Sequence, residues 1–237
     1  MKILIAIPAF GGNISEKTLT GVYETTRDFV RNGISIELIT VVNDSIIHHA
    51  RSNLANFFYH NTDATHLLWV DADIGFHSGD VRKLVELDTE FAAATYPKKT
   101  LPLRYSCALP KEGIIWNKEH TAIQAAHVGS GFQLLARSVF ERIAKKFPEL
   151  KYSPRSESRV VTPAETADSY HYYDTYTAKN GMLVGEDYAF CQRFRKAGGT
   201  IWLRPDIALS HVGSHVFTGG NLLDILEPQD SKTDTEL

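Results

Sequence analysis

His66-Leu67-Leu68-Trp69-Val70-Asp71-Ala72-Asp73 is an apolar run that stops abruptly at two carboxylates separated by one small residue. Leu67 to Val70 has no polar break and reads as a buried strand. A strand ending in Asp-x-Asp puts two hard oxygen donors at the carboxyl edge of a sheet, where open α/β proteins bind their ligands. That arrangement suits a divalent cation carrying a diphosphate.

The same punctuation recurs upstream. Ile3 to Ile7 is a continuous aliphatic run ended by Pro8, and Gly11-Gly12-Asn13 turns the chain into a helix that Ser15 caps. Leu19, Val22, Tyr23, Thr26 and Val30 fall on one side of that helix, and Asn32-Gly33 supplies a left-handed stop. Ile34 to Val42 is a second strand. Ser45 is then expected to cap a helix running through Ala50, Leu54, Ala55 and Phe58. Three β-α repeats within about seventy residues predict a parallel sheet with right-handed crossovers. Ser78-Gly79-Asp80 opens a third helix through Leu84 and Leu87, and Phe91 to Thr95 follows as a short buried strand.

Downstream the pattern is less regular. Arg104 to Leu109, Gly113 to Trp116 and Thr121 to His127 read as short strands, antiparallel because their connections are too short for crossovers. Ser138-Val139-Phe140-Glu141 has the form of a capping box opening a helix to Phe147. Residues 152–184 lack periodicity, are rich in aromatics between Tyr170 and Tyr176, and read as a long functional loop. Glu186 to Ala197 is a helix with Phe190, Cys191 and Phe194 inward, and Ile201 to Leu203 a strand. The expected organisation is one α/β domain over 1–223, with a nucleotide-binding half (1–100), an acceptor half (101–223) and a flexible tail (224–237).

Composition narrows the partners. Among 237 residues, 43% are hydrophobic and 22% charged, as in an ordinary soluble globular protein. The net charge of −3 and the lack of a Lys/Arg block give no broad electrostatic footprint for nucleic acid. Cys107 and Cys191 lack metal-type spacing and read as buried, reduced thiols of a cytoplasmic protein. No run approaches the roughly eighteen apolar residues of a membrane span, so integral membrane association is not expected.

Pro8-Ala9-Phe10, Asn43-Asp44, Asp71-Ala72-Asp73 and Ser210-His211-Val212-Gly213 all fall at strand ends or in the loops after them, so a parallel sheet brings them to one crevice. Asp73 is best placed as a direct metal ligand. Asp71 is either a second ligand or an acceptor for a ribose hydroxyl or a metal-bound water, and His211 adds an imidazole. This mixed oxygen and nitrogen set favours Mn²⁺ over Mg²⁺. Arg51 can meet a phosphate or hold Asp71, and a surface ion pair explains it equally well. Lys98 and Lys99 can approach a diphosphate or merely lie in a solvated turn. Gly129-Ser130-Gly131 permits either close backbone approach to a ligand or a bulge. Glu186 and Asp187 open a helix, whose dipole stabilises them; Asp187, kept ionised, can take a proton from an attacking hydroxyl.

With those residues in place the chain resembles GT-A glycosyltransferases, specifically small family-2-like members from phage, large-virus and bacterial genomes. The resemblance spans about Met1 to Gly213 and rests on several segments in order. They are Ala6-Ile7-Pro8-Ala9-Phe10, Ala50-Arg51-Ser52-Asn53-Leu54, Leu67 to Ile74, Tyr96-Pro97-Lys98, Gly129-Ser130-Gly131-Phe132, Gly185 to Cys191, and Leu209 to Gly213. It implies a GT-A, Rossmann-like fold with a mixed, mostly parallel sheet flanked by helices, and a nucleotide-sugar donor, a UDP-sugar first. By the same resemblance Pro8, Ala9 and Phe10 line the nucleoside pocket, while Asn43 and Arg51 hold base, ribose or phosphate. Asp71-Ala72-Asp73 becomes the metal motif, His211 a further metal ligand, and Asp187 beside Glu186 the base of inverting members. The stereochemistry stays open between inversion and retention. The acceptor stays open between a carbohydrate and a modified nucleobase in DNA, for which the Tyr170 to Tyr176 aromatics could stack and Lys98, Lys99, Lys111, Arg155 and Arg159 could meet phosphates. Rival readings are a nucleotidyltransferase, disfavoured because no basic residue closely follows Gly11-Gly12-Asn13, and a non-catalytic nucleotide- or sugar-binding module.

Overall fold

A computed structural model describes residues 1–153 and 168–226. Arg155, Arg159 and the tail from Glu227 lie outside the described residues. The aliphatic runs pair as one seven-stranded sheet made of β1 (Lys2–Pro8), β2 (Ser35–Val41), β3 (His66–Val70), β4 (Phe91–Ala93), β5 (Ile123–Ala125), β6 (Phe132–Ala136) and β7 (Ile201–Leu203). Their spatial order is β2-β1-β3-β6-β4-β7-β5. β1 pairs parallel with both β2 and β3, and β7 parallel with β4, whereas β5 and β6 run against their neighbours. The sheet is thus mixed and mostly parallel. As expected, the short segments of the second half pair antiparallel, at β5 and where Cys107–Ala108 meets His127–Val128. Between Gly113 and Trp116 only an isolated Trp116–Ile123 bridge forms among the described residues.

Helices α1 (Glu16–Arg31), α2 (Ile47–Asn61), α3 (Ser78–Val85), α4 (Arg137–Lys146) and α5 (Glu186–Lys196) cover the sheet. Alternation along the strands divides the core into two layers. Ile3, Ile5, Ile7, Leu68 and Val70 pack with Phe29, Phe76 and Leu84 on one face, and Leu4, Ala6, Leu67 and Trp69 pack with Phe58, Phe140, Phe190 and Phe194 on the other. Full burial of each such side chain is worth roughly 1.5–3 kcal/mol.

Several local readings need correction. Ser15 does cap α1, its Oγ accepting the Thr18 N–H at 3.1 Å. The buried face of α1, however, is Thr18, Gly21, Val22, Thr25 and Phe29, leaving Leu19, Tyr23 and Val30 exposed. The reason is close docking on residues 72–76: Thr18 Oγ1 donates to the carbonyls of Ala72 and Ile74, and a Cβ on Gly21 would stand 2.6 Å from the Phe76 carbonyl. Ser45 does not cap α2. Ile46 holds that position, with its N–H donated to Asp44 Oδ1 at 3.2 Å. The Ser138 capping box is also unused, since α4 starts at Arg137 behind Ala136. Arg137 instead donates to the carbonyls of Phe58, Tyr59 and Ala64, satisfying groups at the C-terminal end of α2.

In the expected loop over 152–184, the described residues 168–173 pack on α2. Asn56 exchanges two hydrogen bonds with the backbone of Tyr170, and Ser52 Oγ accepts the Tyr173 N–H. Tyr172 and Tyr173 are fully buried, the former edge-on to Phe140 and the latter stacked on Phe190 at 4.2 Å. They are core residues and offer no face to an acceptor. Cys191 is buried as expected, Cys107 only half-buried, and both are free thiols. No helix among the described residues is long and apolar enough to cross a membrane.

Candidate functional site

The turn after β3 is held from two sides. The Ser15 N–H donates to the Ala72 carbonyl at 2.7 Å, and the Asp71 N–H to the Gly131 carbonyl at 3.0 Å. The ends of β1 and β2 lie at the same edge, where Ala9 N–H meets the Val41 carbonyl and Asn43 N–H the Phe10 carbonyl. Pro8 is half-buried and Ala9 buried, while Phe10 and a left-handed Asn43 (φ 61°) are exposed. The ends of β1, β2 and β3 thus lie side by side at one edge of the sheet.

His211 reaches Asp73 through a second, three-stranded sheet. Ile74–Gly75 pairs antiparallel with Ser210–Val212, His211 lies opposite Ile74, and the Val212 N–H donates to the Asp73 carbonyl at 2.8 Å. His211 Nδ1 lies 2.8 Å from the Pro97 carbonyl, which only accepts, so Nδ1 carries a proton there and Nε2 is turned the other way. Nε2 stands 3.4 Å from Asp73 Oδ2. A backbone carbonyl behind one ring nitrogen is the usual support of a metal-ligating histidine. Tyr96 packs edge-on against the same imidazole at 5.2 Å. Burial pushes the Asp73 pKa up, but hydrogen bonds from His211 and Lys99 outweigh it and hold the carboxyl below its ordinary value.

Asp71 is committed elsewhere. Arg51, 2% exposed, donates from Nη2 to Asp71 Oδ1 at 2.7 Å, and its guanidinium lies 5.3 Å from the Trp69 ring. Burial opposes its charge, yet Asp71 and Asp187 more than compensate, so its pKa stands above the ordinary arginine value. Among the described residues no three His, Cys, Asp or Glu side chains gather closely enough to hold a metal ion alone. Asp73 and His211 form a two-donor set that still fits a cation sharing its shell with diphosphate and water.

Asp187 enters from the first turn of α5, behind Gly185, with half-buried Glu186 beside it. Burial pushes its pKa up to about 6; Arg51 pulls down, and the Glu186 and Asp71 charges push up further. Its buried Oδ1 has no hydrogen-bond partner, nor do Arg51 Nε and Nη1, Trp69 Nε1 or Tyr173 Oη. Buried polar atoms without partners are few in folded proteins, and a cluster of them marks a place where ligand or water completes the bonding.

Gly129 and Gly131 are required by protein packing. A Cβ on Gly131 would stand 2.7 Å from Asp71 Oδ2 and 2.8 Å from the Tyr96 ring, and one on Gly129 2.5 Å from Tyr96 Oη. Ser130 is fully buried beneath the site. Lys98 is exposed and gives its N–H to the Arg104 carbonyl, whereas Lys99 reaches Asp73 Oδ2 at 2.6 Å. Tyr96, Trp69 and Tyr173 were missed as site residues. Buried residues with polar tips next to a charged motif are the signal that could have found them.

No protein-family model matches the chain, and no curated protein matches it. Among solved structures it is similar to A197 from STIV, at 17% identity and a TM-score of 0.51, covering 90% of this chain and 86% of that one. Weaker likeness extends to a Bacillus anthracis protein assigned as a glucose-1-phosphate thymidylyltransferase and solved with sucrose (13% identity, 65% and 77% covered, TM-score 0.34). It extends also to HddC from Yersinia pseudotuberculosis complexed with GMP-PN (10% identity, 83% and 97% covered, TM-score 0.33). The likeness to A197 is one of fold: a mixed α/β sheet flanked by helices, which in this chain gathers polar residues at the carboxyl edge of its parallel strands.

Proposed function

We propose that this protein is a metal-dependent glycosyltransferase that moves a sugar from a nucleotide-sugar donor, a UDP-sugar first, to an acceptor hydroxyl with inversion. The observation that carries this reading is the meeting of Asp73 and His211, far apart in sequence, with the imidazole turned by the Pro97 carbonyl so that Nε2 faces the carboxylate. These two side chains would hold Mn²⁺ (or Mg²⁺). A cation bound there neutralises the negative charge that grows on the leaving diphosphate. Asp187, with its pKa drawn up to about 6, remains mostly ionised at neutral pH yet basic enough to take the acceptor's proton. Arg51 keeps Asp71 in place. The exposed Phe10 and Asn43 at the ends of β1 and β2 would meet the nucleoside. A carbohydrate acceptor is preferred to a DNA base, because Tyr172 and Tyr173, the central aromatics of the loop, are interior.

The test is thermal unfolding with UDP-, GDP-, CMP- and dTDP-sugars, with and without Mn²⁺. One nucleotide class is expected to raise the midpoint only when Mn²⁺ is present. If none does, the donor assignment fails.

A further inference from the structure

Asp73 Oδ2 has two claimants. Lys99 Nζ lies 2.6 Å from it and His211 Nε2 3.4 Å. Lys99 is the nearer of the two, and its ammonium sets a full positive charge against the Asp73 carboxylate. The position of Lys99 is built into the fold. Its stem crosses Gly213, where a Cβ would come within 3.1 Å of Lys99 Cδ, so any other residue after Val212 would crowd the lysine. At the base of its loop the Lys98 N–H donates to the Arg104 carbonyl and Pro97 bridges Tyr105, and the same Pro97 carbonyl holds His211. Lys99 and His211 are therefore aimed at one oxygen from one anchored segment.

A divalent ion and an ammonium compete for one carboxylate oxygen, because like charges brought that close repel. Lys99 has a flexible four-carbon stem and is partly exposed, so it can swing while the backbone stays in place. Resting on the metal-dependent reading above, we propose that Lys99 is a tethered cation that occupies the metal seat on Asp73 until the divalent ion displaces it, and that the displaced ammonium then binds the donor's diphosphate. Lys99 thus weakens binding of the metal alone and strengthens binding of the nucleotide, which favours loading of the two together.

The opposite signs give the test. Mn²⁺ affinity of the full chain is measured by the electron paramagnetic resonance signal of free Mn²⁺, and UDP affinity by calorimetry at saturating Mn²⁺, for wild type, Lys99→Met and Lys99→Gln. Without nucleotide both variants are expected to bind Mn²⁺ about tenfold more tightly than wild type, and with Mn²⁺ to bind UDP about tenfold more weakly. Equal Mn²⁺ affinity in all three proteins overturns the proposal, as does UDP affinity that is unchanged or improved. If no protein takes up Mn²⁺ with or without UDP, the metal reading itself has failed, an outcome distinct from wild type and variants binding Mn²⁺ alike.

Discussion

Arg51 Nε and Asp187 Oδ1 face each other at 4.0 Å, and neither atom has a hydrogen-bond partner. The short bond of that guanidinium goes to Asp71 instead, so one buried cation serves two carboxylates unequally. Asp71 is neutralised at contact. Asp187 receives attraction from Arg51 but no hydrogen bond from it, and burial prevails in setting its proton affinity.

That inequality has a pH consequence. The folded protein raises the Asp187 pKa from 3.8 to about 6, so it binds this proton more tightly than the unfolded chain does. Stability contributed by the protonated form is lost as pH rises from about 4 to about 6, and above that window the ionised group is a fixed burden. Asp187→Asn should accordingly be more stable than wild type by about 1–3 kcal/mol at pH 7.5 and no different near pH 4, as measured by urea unfolding. Under the proposed function, sugar transfer by wild type should rise through an apparent pKa of about 6 and be lost in the variant at every pH.

Arg51→Met leaves Asp71 facing a buried, unpaired position. Unfolding free energy at pH 7 should fall by about 2–4 kcal/mol, somewhat below the value for a fully enclosed pair because Asp71 retains some contact with water. In an Asp71→Asn background the same substitution should cost about half as much or less; an undiminished loss in that double variant would show that Arg51 stabilises through Asp187 and its packing on Trp69 and not through Asp71.

Asp73→Asn should separate folding from binding. Its ion pairs are partly exposed, so the unfolding free energy measured in urea is expected to change by less than about 1 kcal/mol. The Mn²⁺-dependent thermal shift with the nucleotide should disappear. A wild-type shift in this variant would remove Asp73 from the metal site.

The two glycines of the 129–131 segment are enclosed by site side chains. Gly131→Ala drives a methyl against Asp71 and Tyr96 and should destabilise by about 1–3 kcal/mol, with a change in the near-ultraviolet circular dichroism of the tyrosine. Gly79→Ala, inside α3 with nothing within 4 Å of the added carbon, should instead stabilise by about 0.4–1 kcal/mol.

Local order was legible where one interaction dominates. The aliphatic run of β1, the Ser15 cap and the halt of β3 at Asp71 each depend on neighbours a few residues away, and all three are present. The inward face of α1 was not legible. Leu19, Tyr23 and Val30 are more apolar than Thr18 and Gly21, but residues 72–76 approach so closely that only small or hydrogen-bonding side chains fit between. The aromatics near Tyr173 look like a surface cluster in sequence and become core because polar residues of α2 pin their backbone.

The chain's own pattern of strands, turns and acidic stops determined the α/β class and the edge at which polar residues collect, since alternation and chain punctuation are short-range properties. Which of those residues touch was decided only in three dimensions. Pairing of Ser210–Val212 with Ile74–Gly75 delivers His211 to Asp73, and burial of Arg51 assigns Asp71 to a guanidinium. Nonlocal strand register and burial are set by the whole packed core, and no local stretch of sequence encodes them.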